Sequence, residues 1–269
     1  MVSLPHSNIS PMKLSKLPAI NQEVFVNWRS AQKTHPGNVR EYNEDACLVL
    51  ENPGLWVVAD GMGGHEAGDV ASQLIVEALQ SISHAKRLND IIDNIEDKLI
   101  EVNQRLRTIA KSRYNNQTIG STVIAMAAID DFIAYLWAGD SRLYRVREQT
   151  IEPLTTDHSE VQNLVNQGLL SPDDAESHPS ANVITRAVGA TENLFLSVGL
   201  EKVRHKDIYI LCSDGLYRDL KEDELLKLAQ QDDVNKICEE TMSLALSREA
   251  KDNITLVISQ CTVKQPGNT

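Results

Sequence analysis

Five times in this chain an acidic side chain stands where an apolar run of strand length begins or ends. Asp60 closes Leu55–Ala59 and opens Gly61-Met62-Gly63-Gly64-His65. Asp140 follows Ala134–Ala138 after Gly139, and Asp214 follows Ile208–Cys212 and precedes Gly215. Asp252-Asn253 opens Ile254–Ile258, and Glu44-Asp45 opens Ala46–Leu50. One at a time, each reads as a turn, because Asp-Gly and Asp-Asn are ordinary strand punctuation. Together they constrain the fold: strands that share a core and carry carboxylates at their mouths gather those carboxylates at one edge of a sandwich. Anions so placed repel one another, and burial adds a desolvation cost. A hard divalent cation removes both problems. Oxygen-only ligands favour Mg²⁺ or Mn²⁺ over zinc, which prefers His or Cys.

The periodicity along the chain supplies the rest of the frame. A strand is expected from Val24 to Gln32, then a turn at Pro36-Gly37-Asn38 and a hairpin of Ala46–Leu50 with Leu55–Ala59. The period then changes: Ala71, Leu74, Ile75, Ala78, Leu79 and Ile82 line one helix face. A second helix carries Leu88, Ile92, Ile95, Leu99, Val102, Leu106 and Ile109. Strands are expected over Thr122–Ile129, Phe132–Ala138 and Leu143–Arg147. Their connections are too short for a crossover helix, which predicts that they pair antiparallel with one another. Residues 157–185 read as helical or irregular, with a helix start at Pro172-Asp173-Asp174. Leu194–Leu200, Asp207–Cys212 and Ile254–Ser259 read as strands, and Val234, Ile237, Cys238, Thr241 and Ala245 as a helix face. Strands in blocks and helices in pairs predict an α+β fold: two packed antiparallel sheets flanked by helix pairs. Residues 1–22 are expected to be a flexible extension, 23–261 one domain and 262–269 a polar tail.

Composition excludes several classes. No apolar run approaches the roughly 20 residues that span a bilayer, so no membrane partner is expected. The N-terminus lacks the continuous apolar core of a signal peptide. Cys47, Cys212, Cys238 and Cys261 are far apart and show no C-x-x-C spacing; they read as small buried hydrophobes in a reducing cytoplasm, the expected location. With a net charge of −12 and no Lys/Arg cluster, a nucleic-acid partner is not expected.

The glycines beside the acids have a further use. Without a Cβ, the backbone of Gly61 can approach a metal and offer its carbonyl. Two such ions about 3.5–4 Å apart hold a bridging water and lower its pKa toward neutrality, a nucleophile for phosphorus. Arg40, four residues before Glu44, is a candidate for a bidentate grip on phosphate, although alone it reads as a surface arginine.

The runs GNVREYNEDA (37–46), VVADGMGGH (57–65), GSTV (120–123), AGDSRLYR (138–145), TTDHS (155–159), VITRAVG (183–189), ILCSDGL (210–216) and KDNITLV (251–257) resemble the metal-dependent protein phosphatases of the type 2C, or PPM, family. The likeness is greatest to its stand-alone bacterial members and covers residues from about 24 to 260. It implies an α-β-β-α sandwich and a protein-serine/threonine phosphatase that attacks its ester with a metal-bridging water. By motif position, Asp60 would bridge two ions and Gly61 would give its carbonyl to one. Asp214 and Asp252 would hold the other, and Asp140 with Asp214 a third, weaker ion. The ions would be Mn²⁺ or Mg²⁺. Glu44 and Asp45 match outer carboxylates that reach metal through water, and Arg40 matches the phosphate-binding arginine. Residues 157–185 match a variable flap beside the site. The partners implied are phosphoproteins, substrates of a Ser/Thr kinase, met by a monomer.

One position departs from the animal pattern, in which a histidine stands two residues after the bridging aspartate. Here it is Met62, as in bacterial members. The proton donor therefore stays open between a metal-bound water near Asp140 and His65. His158 reads as either a flap contact or a helix-start residue, with the helix start favoured. A two-metal nuclease should show basic tracks, and a pseudophosphatase should have lost metal aspartates; this chain does neither.

Overall fold

A computed structural model of the chain describes residues 25–264 except 64–66, 84, 116 and 176. In chain order the elements are β1 (Phe25–His35), β2 (Asp45–Leu50), β3 (Leu55–Met62), α1 (Ala67–Gln80), α2 (Leu88–Arg113), β4 (Gly120–Ser121), β5 (Val123–Ile129), β6 (Phe132–Ala138), β7 (Arg142–Arg147) and β8 (Thr150–Pro153). There follow α3 (Glu160–Asn166), α4 (Pro172–Ala175), β9 (Ser197–Lys202), β10 (Ile208–Cys212), α5 (Asp214–Tyr217), α6 (Glu222–Leu228), α7 (Val234–Leu246) and β11 (Ile254–Lys264). One sheet runs β1-β11-β10-β7-β8. The other runs β2-β3-β5-β6-β9, with β4 paired to β3 at its end, and the paired strands are antiparallel.

Strand alternation sorts the apolar side chains into three layers. Trp56 and Val58 of β3 meet Tyr209 and Leu211 of β10 and Val257 of β11 between the sheets. Val57 and Ala59, on the opposite face of β3, pack under the α1–α2 pair. Ile210 of β10 and Leu256 of β11 pack under α6 and α7. β3 and β10 are thus covered on both faces, which is why their apolar runs are unbroken. In α2 the buried stripe is Ile91, Ile95, Leu99, Val102, Leu106 and Ala110, so Ile92 and Ile109 sit at its flank rather than its centre. Two antiparallel sheets between helix layers is the expected architecture.

The structure corrects several local expectations. β5 pairs with β6, but β7 does not join them: it lies in the other sheet beside β10. A short connection permits pairing without compelling it. Here Gly139, at φ +110, turns the chain from β6 across to the facing sheet, a conformation that favours glycine. Leu143 then fills the space between the sheets while Tyr144 and Val146 face α6 and α7. β9 begins at Ser197 rather than Leu194, because Leu194 and Leu196 pack against the helix-side core before the strand starts. β11 continues past Ser259 to Lys264, where its outer half pairs with Phe25–Ser30, so residues 262–264 are strand and not tail. The expected extension, 1–22, and residues 265–269 lie outside the described residues.

Trp56 is the main side-chain bolt between the sheets. It is fully buried, its ring lies 4.7 Å from that of Trp28, and its indole N–H donates to Ser30 Oγ at 2.8 Å. Trp56→Ala is expected to destabilise the protein by about 3–5 kcal/mol in urea denaturation. Phe195→Ser, at a 67% exposed position, is expected to change it by less than about 0.5 kcal/mol. Similar losses in both would show that the inter-sheet packing is not what holds the sandwich.

Candidate metal centre

The acids arrive at one end of the sandwich through backbone pairing. Asp45 of β2 and Asp60 of β3 are direct cross-strand partners, so two carboxylates face each other in register. One residue further, the N–H of Gly61 donates to the carbonyl of Glu44 at 3.1 Å. A Cβ on Gly61 would run into the carbonyls of Gly68 and Glu44, so the chain passes too closely there for any other residue. From the facing sheet, Asp214 opens α5 directly after β10, and Asp252 stands two residues before β11. Asp140 lies in the turn between β6 and β7.

Neutral side chains tie these segments together. Asn253 accepts from the N–H of Glu44 at 2.8 Å and donates to the carbonyls of Pro36 and Tyr42 at 3.0 and 2.9 Å. It thereby clamps the Arg40 loop onto the start of β11. Thr122 Oγ1 accepts from the N–H of Asp60 at 3.1 Å and shares a 2.7 Å hydrogen bond with Ser141. Ser213 donates to Asp45 Oδ2 at 2.8 Å and accepts from the N–H of Thr255 at 3.0 Å. Sequence reading did not single these residues out. Ser141, Ser213 and Asn253 adjoin the acids at 140, 214 and 252, whereas Thr122 is near none of them in sequence and its local signal is the GSTV run.

Electrostatics make the arrangement costly. Burial pushes the Asp45 carboxyl up to about 7, with Asp214 and Asp252 adding repulsion. Burial also raises Asp60 well above the usual carboxylate range, and Asp45, Asp214, Asp140 and Asp252 raise it further. Asp140 is lifted to about 7 by burial and by Asp214 and Asp157, against the pull of Arg218. Asp214 is raised mainly by burial and held down by Arg218. Asp45 Oδ1 is buried with no hydrogen-bond partner. Two arginines supply positive charge: Arg218 lies 2.8 Å from Asp214, and Arg40 2.9 Å from Asp252. Among the described residues no three His, Cys, Asp or Glu groups stand in a ready-made ligand array.

The donor set nevertheless suits a hard divalent cation. It consists of oxygens, it includes an orphaned buried carboxylate oxygen, and a cation would relieve the repulsion among the buried anions that helps raise their pKa. The cysteines offer no soft alternative: burial pushes the Cys47 thiol up to about 11 and those of Cys212, Cys238 and Cys261 up to about 12.

Other expected site residues fall as follows. Arg40 is at the rim, with 55% of its side chain exposed. The Glu44 carboxylate accepts from the N–H of Gly68 at 3.2 Å and so braces the first turn of α1. His65 lies outside the described residues. His158 does not cap α3: Ser159 does, accepting from the N–H of Gln162. His158 instead stacks on Trp137, and its Nδ1 accepts from the N–H of Gly139 at 3.2 Å. Burial first, then Arg186, lowers its pKa to about 4, so it is a neutral tether between residues 157–185 and the Asp140 turn.

The raised pKa values fix the sign of the pH dependence. A carboxyl that keeps its proton to about pH 7 when folded, against 3.8 as its ordinary value, binds more protons in the native state across that interval. Stability is therefore present in acid and is lost as the pH rises through the folded pKa. In EDTA the protein is expected to melt at a lower temperature near about pH 8 than near about pH 5.5. Asp45→Asn is expected to raise the melting temperature by a few degrees at the higher pH and by less at the lower. Equal melting temperatures in EDTA at the two pH values would contradict this account of the buried aspartates.

A model described as protein phosphatase 2C matches residues 37–257. The chain is 31% identical over 241 residues to the serine/threonine protein phosphatase PstP of Mycobacterium tuberculosis, a match that covers 90% of this chain and 46% of that protein. The chain thus spans about half the length of this relative. It is also 31% identical over 243 residues to the serine/threonine phosphatase stp of Listeria welshimeri, covering 87% of this chain and 96% of that one. Among solved structures, PppA of Pseudomonas aeruginosa, described as a key regulatory component of T6SS, superposes with a TM-score of 0.82 at 41% identity, over 88% of this chain and 99% of that chain. The catalytic domain of PstP in complex with two manganese ions gives a TM-score of 0.80 at 28% identity, over 88% and 100% of the two chains. With the motif order, the sandwich and the gathered aspartates all in agreement, the chain belongs to the protein phosphatase 2C family.

Proposed function

We propose that this chain is a metal-dependent protein-serine/threonine phosphatase that hydrolyses phosphoserine and phosphothreonine esters by direct attack of water, with no covalent intermediate on the protein. The observation that carries this reading is the convergence of five aspartates on one end of the sandwich, with Asp60 and Asp45 face to face and one buried oxygen unpartnered. When bound, two Mn²⁺ or Mg²⁺ ions supply an activated water and neutralise the phosphoryl oxygens. Asp60 and the Gly61 carbonyl, with Asp214 and Asp252, are the residues proposed to hold them, with Glu44 and Asp45 in the outer layer.

The chain's own groups do the rest. Arg40 is exposed and reaches Asp252 from the rim, so it is placed to exchange that carboxylate for an incoming phosphate. Val39 and Tyr42, both exposed on the same loop, offer apolar contact to the peptide on either side of the phosphoresidue. A cavity of about 100 Å³ beside Asp140, lined by Arg142, Gln162 and Arg218 among others, lies under the proposed flap at 157–185. A larger pocket of about 580 Å³ near Arg29 and Asp233 touches none of the five clustered aspartates and has no part in this reading. The substrates proposed are phosphoproteins of a Ser/Thr kinase, and the protein is proposed to act as a cytoplasmic monomer.

Turnover of a phosphothreonine peptide is expected to require added Mn²⁺ or Mg²⁺ and to vanish in EDTA. Asp60→Asn and Asp214→Asn each keep the side-chain shape but remove an anion. Each is expected to lower kcat by more than the ~10–100-fold that losing an outer-shell metal partner costs. Near-normal rates in saturating Mn²⁺ would rule out the metal assignment. Arg40→Ala is expected to raise KM about 10- to 100-fold, because a bidentate charge-assisted pair contributes roughly 1.5–3 kcal/mol. It should also weaken inhibition by inorganic phosphate. If both measures stay at their wild-type values, Arg40 does not meet the substrate.

A further inference from the structure

Asp214 opens the single turn α5 and Arg218 closes it, with the N–H of Arg218 bonded to the carbonyl of Asp214 at 3.1 Å. Residues four apart on a helical turn share a face, so the guanidinium folds back onto the carboxylate. Its Nη2 lies 2.8 Å from Asp214 Oδ2 and, on the other side, 4.0 Å from Asp140 Oδ2. The two aspartates come from facing sheets: Asp214 follows β10, and Asp140 follows β6. A positive group within 4.0 Å of both offsets part of the repulsion between the two carboxylates.

The neighbouring groups leave Arg218 no other anion to answer. Asp157, also near Asp140, is already held by Arg142 in a forked pair at 3.0 and 2.8 Å. The Arg142 guanidinium lies 3.6 Å above the Tyr217 ring, which walls it off on the α5 side. Arg40 meets a different aspartate, Asp252, at the rim. A third divalent ion between Asp140 and Asp214 would have to share its place with a cation that is part of the chain, at a separation where like charges repel strongly.

We propose that Arg218 is the resident counter-ion of the Asp140–Asp214 pair and takes the position of a third metal ion, so that this protein binds two ions and not three. The proposal rests on the metal-dependent reading above. It departs from the third ion that resemblance assigns to Asp140. Arg218 is then a positioning residue for Asp214, holding its Oδ2 in the ion pair.

The test is Mn²⁺ stoichiometry on the full chain, by equilibrium dialysis with elemental analysis carried to saturation. Five proteins are compared: wild type, Asp140→Ala, Arg218→Met, Arg218→Lys and the double variant Asp140→Ala/Arg218→Met. Methionine keeps length without charge, and lysine keeps charge without the fork. Two ions per chain are expected for wild type, Asp140→Ala and Arg218→Lys, three for Arg218→Met, and two again for the double variant. A wild-type count of three that Asp140→Ala reduces to two would overturn the proposal while leaving the phosphatase reading intact. Two ions in a folded Arg218→Met would overturn it equally. Should Arg218→Met not fold, as judged by near-ultraviolet circular dichroism, the wild-type and Asp140→Ala counts decide alone. Failure of the wild type to bind any ion would instead remove the metal-dependent reading on which the proposal rests.

Discussion

The structure is organised around carboxylates that repel one another at the end of a sandwich. Asp45 and Asp60 face each other across a β-ladder, and Asp140 and Asp214 approach from either side, close enough that burial and mutual repulsion raise the pKa of all four. No arrangement of this kind contributes stability of its own. The energy that tolerates it comes from elsewhere, in the three apolar layers that bury Trp56, Leu99, Ile210 and their neighbours. Stability and function are therefore separated in space: the layers hold the strands, and the strand mouths hold the charge.

That separation explains the polar side chains near the acids. Asn253, Thr122 and Ser213 are neutral, so each can fix the backbone of an acidic segment without cancelling the charge that the site needs for a cation. His158 works in the same manner from residues 157–185, neutral because it is half-buried and faces Arg186. Where full positive charge does enter, it comes from two arginines with different freedom. Arg40 lies at the open rim, while Arg218 is tethered by a single helical turn to the aspartate it meets. On the reading proposed above, one yields to substrate and the other stays.

Much of this was legible in the sequence, and the exceptions have physical causes. The position of each acid at a strand mouth, the helix faces of α1 and α2 and the alternation within strands are properties of short segments. A period of two or of 3.6 records which face is apolar, and an acid at the end of such a run can only sit at the rim of the core. What periodicity does not carry is the partner of a given strand. β7 was expected beside β6 because the connection is short, and it lies beside β10 because Gly139 turns the chain outward. Of the two readings of His158, helix start was favoured over flap contact, and it stacks on Trp137 while Ser159 caps the helix.

The sequence by itself therefore determined the fold class, the family and the set of acids at the strand mouths, since each is written in local pattern and in motif order. Only the tertiary structure decided that Asp45 stands opposite Asp60, that Asn253 binds the carbonyls of Pro36 and Tyr42, and that Arg40 meets Asp252 while Arg218 meets Asp214 and Asp140. The reason is common to most of these pairings. They join segments up to about two hundred residues apart, and their geometry follows from how two sheets pack face to face, which no run of neighbouring residues encodes.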